Sequence, residues 1–233
     1  MNTPEKEIYA SAPEEGRLTA AIIKAVKALH SARGRREAGA FVAEGTKCVL
    51  DTAGHFTPQR LIATAAWLEA HPEVAHRLRL APTVAARRDM ERLSALSTPP
   101  EVVGVFALPQ WNFDPAAVAA QGLALALDGV QDPGNLGTIA RAADWFGVRT
   151  VLCSPDCADP FSPKAVMATM GALARVRIVR TSLPDALSGL KALGLPVLGT
   201  FLGGENLFTT PQLPRRGSRS PSTECRIPAT SAP

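Results

Sequence analysis

The sequence of 233 residues predicts an α/β fold that is built from two units. Apolar segments typical of strands alternate with amphipathic segments typical of helices from residue 17 onward. The run GLALALD at 122–128 is continuously apolar, as expected for a strand of a parallel sheet that is buried on both faces. The segment 109–121 carries two prolines and interrupts the alternation, which predicts a linker between the units.

The first unit is expected to span residues 16–108, after a disordered tail over residues 1–15. Its predicted helices are RLTAAIIKAVKALH, TKCVLDTA, AAWLEAH and VAARRDMERLSAL, and its predicted strands are FVAEG, RLIAT, RLRLA and EVVGVFAL. The basic stretch SARGRREAG, which follows the first helix, predicts a loop.

The second unit is expected to span residues 122–213. Its predicted strands are GLALALD, VRTVLCS, RVRIV and LPVLGTF, and its predicted helices are NLGTIARAADWFG, SPKAVMATMGAL and SLPDALSGLKALG. Ser162 is a candidate cap of the middle helix, with Pro163 in its first turn. This alternation predicts a parallel sheet.

Composition restricts the class of protein. The net charge of +4 and the pI of 9.1 are too mild to establish a nucleic-acid partner alone. No apolar run approaches the roughly 20 residues that cross a bilayer. Four scattered cysteines do not form a disulfide framework, which predicts a reduced, cytoplasmic protein. The four histidines show no metal-ligand spacing, so no metal is expected: His30, His55, His71 and His76.

The positive charge is concentrated in the first unit, where Arg33, Arg35 and Arg36 lie close together in the predicted loop. Two interpretations are open. The cluster is either a solvated loop or an edge that contacts phosphates, since each phosphate contact adds sequence-independent affinity.

The segment DGVQDPGNLG at 128–137 joins a predicted strand to a predicted helix, which is where ligands gather in open parallel sheets. Asn135, Gly137 and Arg141 admit two interpretations at this stage. They are either turn, packing and solvated helix residues, or parts of a ligand site. The segment lacks the glycine motifs of dinucleotide and nucleoside triphosphate sites.

A longer segment around this loop, LDGVQDPGNLGTIARAADWFGV, resembles the first signature of the SpoU-type RNA 2'-O-ribose methyltransferases, which belong to the SPOUT superfamily. The segments DPFSPKAVMATMGALARVRIV and VLGTFLGGENLFT are similar to the regions after the family's second and fourth strands. RGRREAGAFVAEGTKCVLD and MERLSALSTPPEVVGVF resemble its N-terminal substrate-binding domain. The resemblance spans residues 17–213.

The resemblance implies that a trefoil-knot domain transfers a methyl group from S-adenosylmethionine to a ribose 2'-hydroxyl of rRNA or tRNA. Arg141 would be the catalytic residue, gripping a neighbouring phosphate with two hydrogen bonds and polarising the hydroxyl. Asn135 would position the loop and the arginine, and Thr200 would lie near the cofactor pocket.

The same resemblance implies an N-terminal domain that binds RNA, and the cluster of Arg33, Arg35 and Arg36 is its predicted contact. It also implies a homodimer whose interface includes the knotted C-terminal region.

The sequence departs from the family's pattern after residue 213, where neither a Gly-Asn-Glu-Gly loop nor a Ser-Leu-Asn helix start follows. Residues 214–233 are rich in proline and are expected to form an aberrant disordered tail. We therefore expect a second unit without its knot segment and without part of the dimer interface.

A frameshift is one hypothesis for this departure. Loss of one base from codons for Gly-Leu-Ala-Ile (GGC CTC GCG ATC) yields Gly-Ser-Arg-Ser, the sequence at 217–220. Resequencing the gene tests this hypothesis. The alternative function is then RNA binding without catalysis, and calorimetry with S-adenosylmethionine separates the two.

Overall fold

The computed structural model of the protein describes residues 18–200 and the short strand at 226–227. The tail predicted at 1–15, and all of the tail predicted at 214–233 apart from that strand, lie outside the described residues. No helix in the described part of the chain has the length and apolar character needed to cross a membrane.

The first unit is a mixed sheet with helices on both faces. Its elements are α1 Ala20–Ala28, α2 Ala32–Ala38, β1 Ala40–Glu44, α3 Thr46–Ala53, β2 Pro58–Ala63, α4 Ala65–Ala70, α5 Pro72–Leu78, β3 Thr83–Val84, α6 Arg87–Leu93 and β4 Val102–Ala107. The strand order is β1-β4-β2-β3, with β4 antiparallel to β1 and β2, and β3 parallel to β2.

The predicted strand RLRLA is wrong, because residues 72–78 form the helix α5. Pro72 occupies the first turn, where its missing N–H costs no hydrogen bond. Arg79 ends the helix in the left-handed conformation, with φ of 54°. The strand that adds to the sheet edge begins only at Thr83.

The predicted loop SARGRREAG is also wrong, because most of it is the helix α2. The Ser31 hydroxyl accepts a hydrogen bond from the Gly34 N–H and caps the start of α2, and Gly39 ends it with φ of 59°. Helical geometry sends the neighbouring arginines of this stretch in different directions.

The second unit is the predicted parallel sheet. Its elements are α7 Pro115–Gln121, β5 Leu125–Leu127, α8 Pro133–Trp145, β6 Thr150–Cys153, α9 Pro163–Thr169, β7 Arg177–Arg180, α10 Leu183–Ala192 and β8 Gly199–Thr200. The order is β5-β6-β7, and Leu125 pairs with Val151, which pairs with Ile178. Ser162 caps α9 as predicted, since its hydroxyl accepts from the Ala165 N–H.

Two strand predictions for this unit need correction. The strand β5 is not buried on both faces: Ala126 is exposed, and Leu125 and Leu127 are half-buried. Of the fourth predicted strand, at 195–201, the described residues 195–200 contribute only β8, which pairs in parallel with β9 at Arg226–Ile227.

The two units share an apolar core. Side chains on one face of each sheet meet in a single cluster, to which Phe41, Phe106, Leu136, Val151 and Ile178 belong. The opposite faces have separate cores, because side chains alternate along a strand: Val103 and Val105 point into one of them, and Leu152 and Val179 into the other.

The segment predicted as a linker, 109–121, contains the helix α7, capped by the Asp114 carboxylate. Val118 and Ala119 of α7 pack with Leu183 and Ala186 of α10. The connection between the units is therefore folded onto the second sheet over this part of its length.

The helices α8 and α9 approach closely where Gly137 of α8 meets Ala168 of α9. A Cβ built on Gly137 would lie 2.4 Å from the Ala168 Cβ and 2.7 Å from the Ala168 carbonyl carbon. Because a main-chain atom blocks this position, no side-chain rotation relieves the clash.

We expect Gly137→Ala to lower the free energy of unfolding by about 1–3 kcal/mol, since overpacking outweighs the helix propensity gained. Urea unfolding measures the change. Thr138→Ala, on the exposed face of the same helix, is the matched control and should change the free energy far less. A midpoint for Gly137→Ala at or above that of the unmodified chain contradicts the prediction.

Candidate active site

The loop that follows β5 leads directly into α8, as the sequence predicts. Asp132 is the N-cap of α8, and its Oδ1 accepts a hydrogen bond of 2.8 Å from the Asn135 N–H. Pro133 follows in the first turn. Asp132 is therefore a cap residue of this helix.

Asp132 has a second partner that the sequence analysis did not predict. The Lys164 Nζ, at the start of α9, lies 2.8 Å from Asp132 Oδ2. The hydrogen bond from Lys164, followed by that from the Asn135 N–H, lowers the pKa of Asp132. A negative charge at this helix start is also favoured by the helix dipole. One carboxylate thus ties together the starts of α8 and α9.

Arg141 lies in the middle of α8 and its side chain is exposed. Two other arginines of this unit are occupied: Arg175 forms two hydrogen bonds through Nε and one through Nη2 to Asp144, and Arg180 donates to the Pro155 and Cys157 carbonyls. Within residues 18–200, Arg141 makes neither a hydrogen bond nor an ion pair through its guanidinium. It presents an unpaired, fixed cation at the surface.

Asn135 and Arg141 share α8 but do not share a face. Six residues of helix separate them by about 9 Å along the axis and by about 120° around it. In the described part of the chain, the Asn135 side chain makes no hydrogen bond, and its contribution to the loop comes from its backbone N–H. The main chain of α8, not the Asn135 side chain, sets the position of Arg141.

The loop after β6, residues 154–162, is hydrogen-bonded to the loop after β5. The Ser154 hydroxyl accepts from the Gly129 N–H at 2.9 Å, and the Ala158 N–H donates to the Val130 carbonyl at 2.8 Å. The hydrogen bond from the Ser154 hydroxyl lowers the pKa of Asp156. Burial raises the pKa of Cys153 to about 12, so this thiol is not a nucleophile near neutral pH.

Thr200, the predicted cofactor residue, is exposed and lies on β8. Because β8 pairs with β9, Thr200 stands apart from the β5-β6-β7 sheet in the described structure. The loops after β5 and β6 supply one polar wall at the carboxyl ends of the strands. The residues at 18–200 thus fit S-adenosylmethionine only in part, and they do not enclose it.

The three arginines of α2 do not act together. Arg33 and Arg36 are exposed, whereas Arg35 is only 3% exposed. Arg35 donates to Asp159 and to the Leu29 and His30 carbonyls, so it is not available to a phosphate. The prediction that Arg35 contacts RNA is therefore not compatible with its burial, and Arg33 and Arg36 remain as predicted contacts.

Arg33 already has a partner on its own helix. Its Nε donates to Glu37 Oε1 at 2.6 Å, and this hydrogen bond raises the pKa of Arg33.

In the portion of the chain that the structure describes, no three histidine, cysteine or acidic side chains are grouped so that they could hold a metal ion.

Two family models match the sequence. The model of the SpoU rRNA Methylase family matches residues 122–219, and that of the MRM3-like substrate binding domain matches residues 20–104. The chain is similar to the 23S rRNA (guanosine(2553)-2'-O)-methyltransferase RlmP of Bacillus subtilis, with 36% identity over 105 residues. The alignment covers 45% of this chain and 40% of that enzyme. The chain spans less than two thirds of the length of the curated relatives it matches.

Solved structures agree with these matches. The structure of a putative RNA methyltransferase of the TrmH family from Porphyromonas gingivalis superposes with a TM-score of 0.75 and 36% identity. The superposition covers 91% of this chain and 80% of that protein. The AdoMet-bound rRNA methyltransferase from Sinorhizobium meliloti gives a TM-score of 0.67 and 30% identity, over 81% and 72%. The α/β fold, the two matched units and these likenesses agree: the chain belongs to the SpoU family of RNA methyltransferases, whose cofactor is S-adenosylmethionine.

Proposed function

We propose that the protein transfers a methyl group from S-adenosylmethionine to a ribose 2'-hydroxyl of rRNA or tRNA. One observation carries the proposal: Arg141 stands exposed and without an ion-pair partner in the described chain, on a helix whose start and packing are both fixed. The B. subtilis relative supports the choice of acceptor, since its name specifies 2'-O-methylation of 23S rRNA.

Arg141 is assigned the positioning of the acceptor. A guanidinium stays protonated at neutral pH, so it is a poor general base. It binds a phosphate with two parallel hydrogen bonds, and such a contact holds the neighbouring ribose in line for attack. The positive charge also stabilises the oxygen as its proton leaves for solvent. The bound cofactor supplies the electrophilic methyl group.

Asn135 and Thr200 complete the proposed site with lesser roles. The Asn135 backbone N–H keeps the loop closed on Asp132, and its exposed side chain is available to the RNA. Thr200 is proposed to meet the cofactor through its hydroxyl. A cytoplasmic location remains a prediction from the sequence.

RNA binding without methyl transfer is the alternative function, and the separation of Thr200 from the parallel sheet favours it. Two measurements on the full chain distinguish the alternatives. Calorimetry determines whether S-adenosylmethionine binds, and labelled methyl transfer to unmodified 23S rRNA and tRNA transcripts determines whether the reaction occurs. Binding of RNA with neither result would reject the enzymatic proposal.

The resemblance implies a homodimer, but part of its interface is expected to be lost here, so we propose that this chain stays monomeric or aggregates. Leu123, Trp145 and Phe146 of the second unit are exposed at 58%, 85% and 78%, and exposed apolar groups of this size promote aggregation. Light scattering measures the assembly. A stable, monodisperse dimer would show that the interface survives the altered C-terminal segment.

The proposed RNA contact of the first unit consists of Arg33 and Arg36, which lie three residues apart and therefore on one face of α2. Glu37 competes with RNA for Arg33, because it already accepts the Arg33 hydrogen bond. Because of this competition, substitution of the two arginines should weaken RNA binding, and substitution of Glu37 should strengthen it.

We expect Arg141→Ala to lower kcat about 100-fold or more while affinity for S-adenosylmethionine changes little, because Arg141 faces the acceptor. Arg141→Lys should recover only part of the rate, since an ammonium lacks the two-pronged geometry. Single-turnover methylation and calorimetry provide the two readouts. Arg177→Ala removes another exposed arginine of the same unit and should leave both unchanged; equal losses in the two variants would refute the assignment.

We expect the double substitution Arg33→Gln and Arg36→Gln to weaken RNA binding and to reduce the slope of log affinity against log salt by about 1–2. Glu37→Gln should act in the opposite direction and strengthen binding, because it releases Arg33. Filter binding across a salt series measures both. Arg92→Gln, which removes an exposed arginine from α6, is the control for net charge.

If the double variant retained the salt slope of the unmodified chain, α2 would not be the RNA contact. A Glu37→Gln variant that binds RNA more weakly would exclude the competition between Glu37 and the phosphate.

A further inference from the structure

Arg35 is a buried cation that joins the two units. Its Nε donates to Asp159 Oδ2 at 3.0 Å, its Nη2 donates to the same oxygen, and its Nη1 donates to the Leu29 and His30 carbonyls at 2.8 and 3.1 Å. We propose that Arg35 is a positioning residue for the methyl-transfer site, acting through Asp159 on the loop that begins α8. The reaction it serves is that of the proposed function.

Asp159 uses its remaining groups to shape the turn before α9. Its Oδ1 accepts the Phe161 N–H at 2.9 Å, and its carbonyl accepts the Ser162 N–H at 3.1 Å. Phe161 packs on Phe41 of β1, with ring centroids 5.0 Å apart. Arg35 therefore holds a turn that is already in contact with its own unit.

From Asp159, a first route reaches the loop after β5. Asp159 follows Ala158, whose N–H donates to the Val130 carbonyl at 2.8 Å. In the same loop, the Cys157 Sγ donates to the Leu127 carbonyl at 3.2 Å, and the Ser154 hydroxyl holds the Gly129 N–H. Movement of the 154–162 loop would therefore displace the main chain at 127–130.

A second route reaches the same helix through α9. The turn at Asp159 delivers Ser162, the cap of α9, and two residues later Lys164 binds the Asp132 carboxylate at 2.8 Å. Asp132 caps α8, the helix that carries Arg141. The first route therefore ends in the loop that precedes α8, and the second ends at the N-cap of α8 itself.

The energetics favour positioning over simple attachment. The shared apolar core already joins the units, and the ion pair adds little net stability because the buried Arg35 loses its hydration while Asp159 remains 25% exposed. The ion pair instead fixes the position of Asp159 relative to α2, since a guanidinium that donates four hydrogen bonds tolerates only one arrangement of its acceptors. The same helix presents Arg33 and Arg36 on its exposed side, so RNA bound there would meet a site in fixed register.

The test uses the full chain with Arg35→Met, Asp159→Asn and the double variant. Hydrogen exchange followed by mass spectrometry should show amides at 127–131 and 157–162 exchanging about tenfold faster, while those of β4 keep their protection. Because Arg35 acts through Asp159, the double variant should be no worse than Arg35→Met. Arg35→Lys retains the buried charge and should give intermediate protection.

The kinetic readout is methylation of an unmodified 23S rRNA transcript. We expect kcat to fall about 10- to 100-fold in Arg35→Met with the RNA KM nearly unchanged, since the site is displaced and RNA binding is not. Arg92→Met is the matched control, because it removes an exposed arginine from the same unit. Asp159→Asn is the milder change and keeps the test decisive if Arg35→Met does not fold.

Unchanged exchange at 127–131 and 157–162 in folded variants would overturn the proposal, as would additive effects in the double variant or an unaltered kcat. If the unmodified chain methylates no transcript, the proposed function fails, and the exchange data still decide whether Arg35 holds the loop.

Discussion

The contact between Gly137 and α9 is the constraint on which the rest of the second unit depends. Helices as close as this require a residue without a side chain, since a Cβ on Gly137 would lie 2.7 Å from a main-chain carbon. The contact fixes the rotation of α8 about its axis, because only one face carries the glycine. Arg141 follows Gly137 by four residues, about 40° around the helix, so it lies beside this contact, and its side chain is exposed.

Electrostatics at the helix start act together with this steric constraint. Asp132 closes the first turn of α8 through the Asn135 N–H and holds Lys164 of α9. The negative charge of Asp132 is therefore balanced by Lys164, a cation of the same unit, and that of Asp144 is balanced by Arg175. Arg141 is left without a carboxylate in the described residues, so its attraction for an anion is not cancelled locally. A cation in this state suits a site that must bind phosphate.

The sequence predicted what local patterns determine. Strand and helix alternation gave the α/β class, the parallel order of the second sheet and the cap at Ser162, because hydrophobic period and cap chemistry are local properties. It failed at 77–81, where alternating Leu78 and Leu80 suggested a strand although Pro72 begins a helix. It also failed at α2, where charge density suggested a loop although Ser31 and Gly39 supply both ends of a helix.

Sequence analysis did not predict the contacts between distant residues, and the physical reason is a different one. Arg35 and Asp159 are 124 residues apart, and Asp132 and Lys164 are 32 apart, so no local pattern relates them. An arginine within a basic stretch gives no sign of burial until its carboxylate partner is known. The assignment of Arg141, by contrast, came from the resemblance of its segment to a family signature and not from periodicity.

Apolar packing and directional bonds divide the work of joining the two units. The shared core stabilises their association, but apolar contacts are not directional and permit small sliding movements between layers. Catalysis by alignment does not tolerate such sliding, because misplacement of about 1 Å costs about 100-fold in rate. A few oriented hydrogen bonds at the end of β6, where the loop of one unit meets α2 of the other, suffice to remove it. Polar groups buried between the units are therefore expected where the reacting atoms need a fixed register, and not where the core is largest.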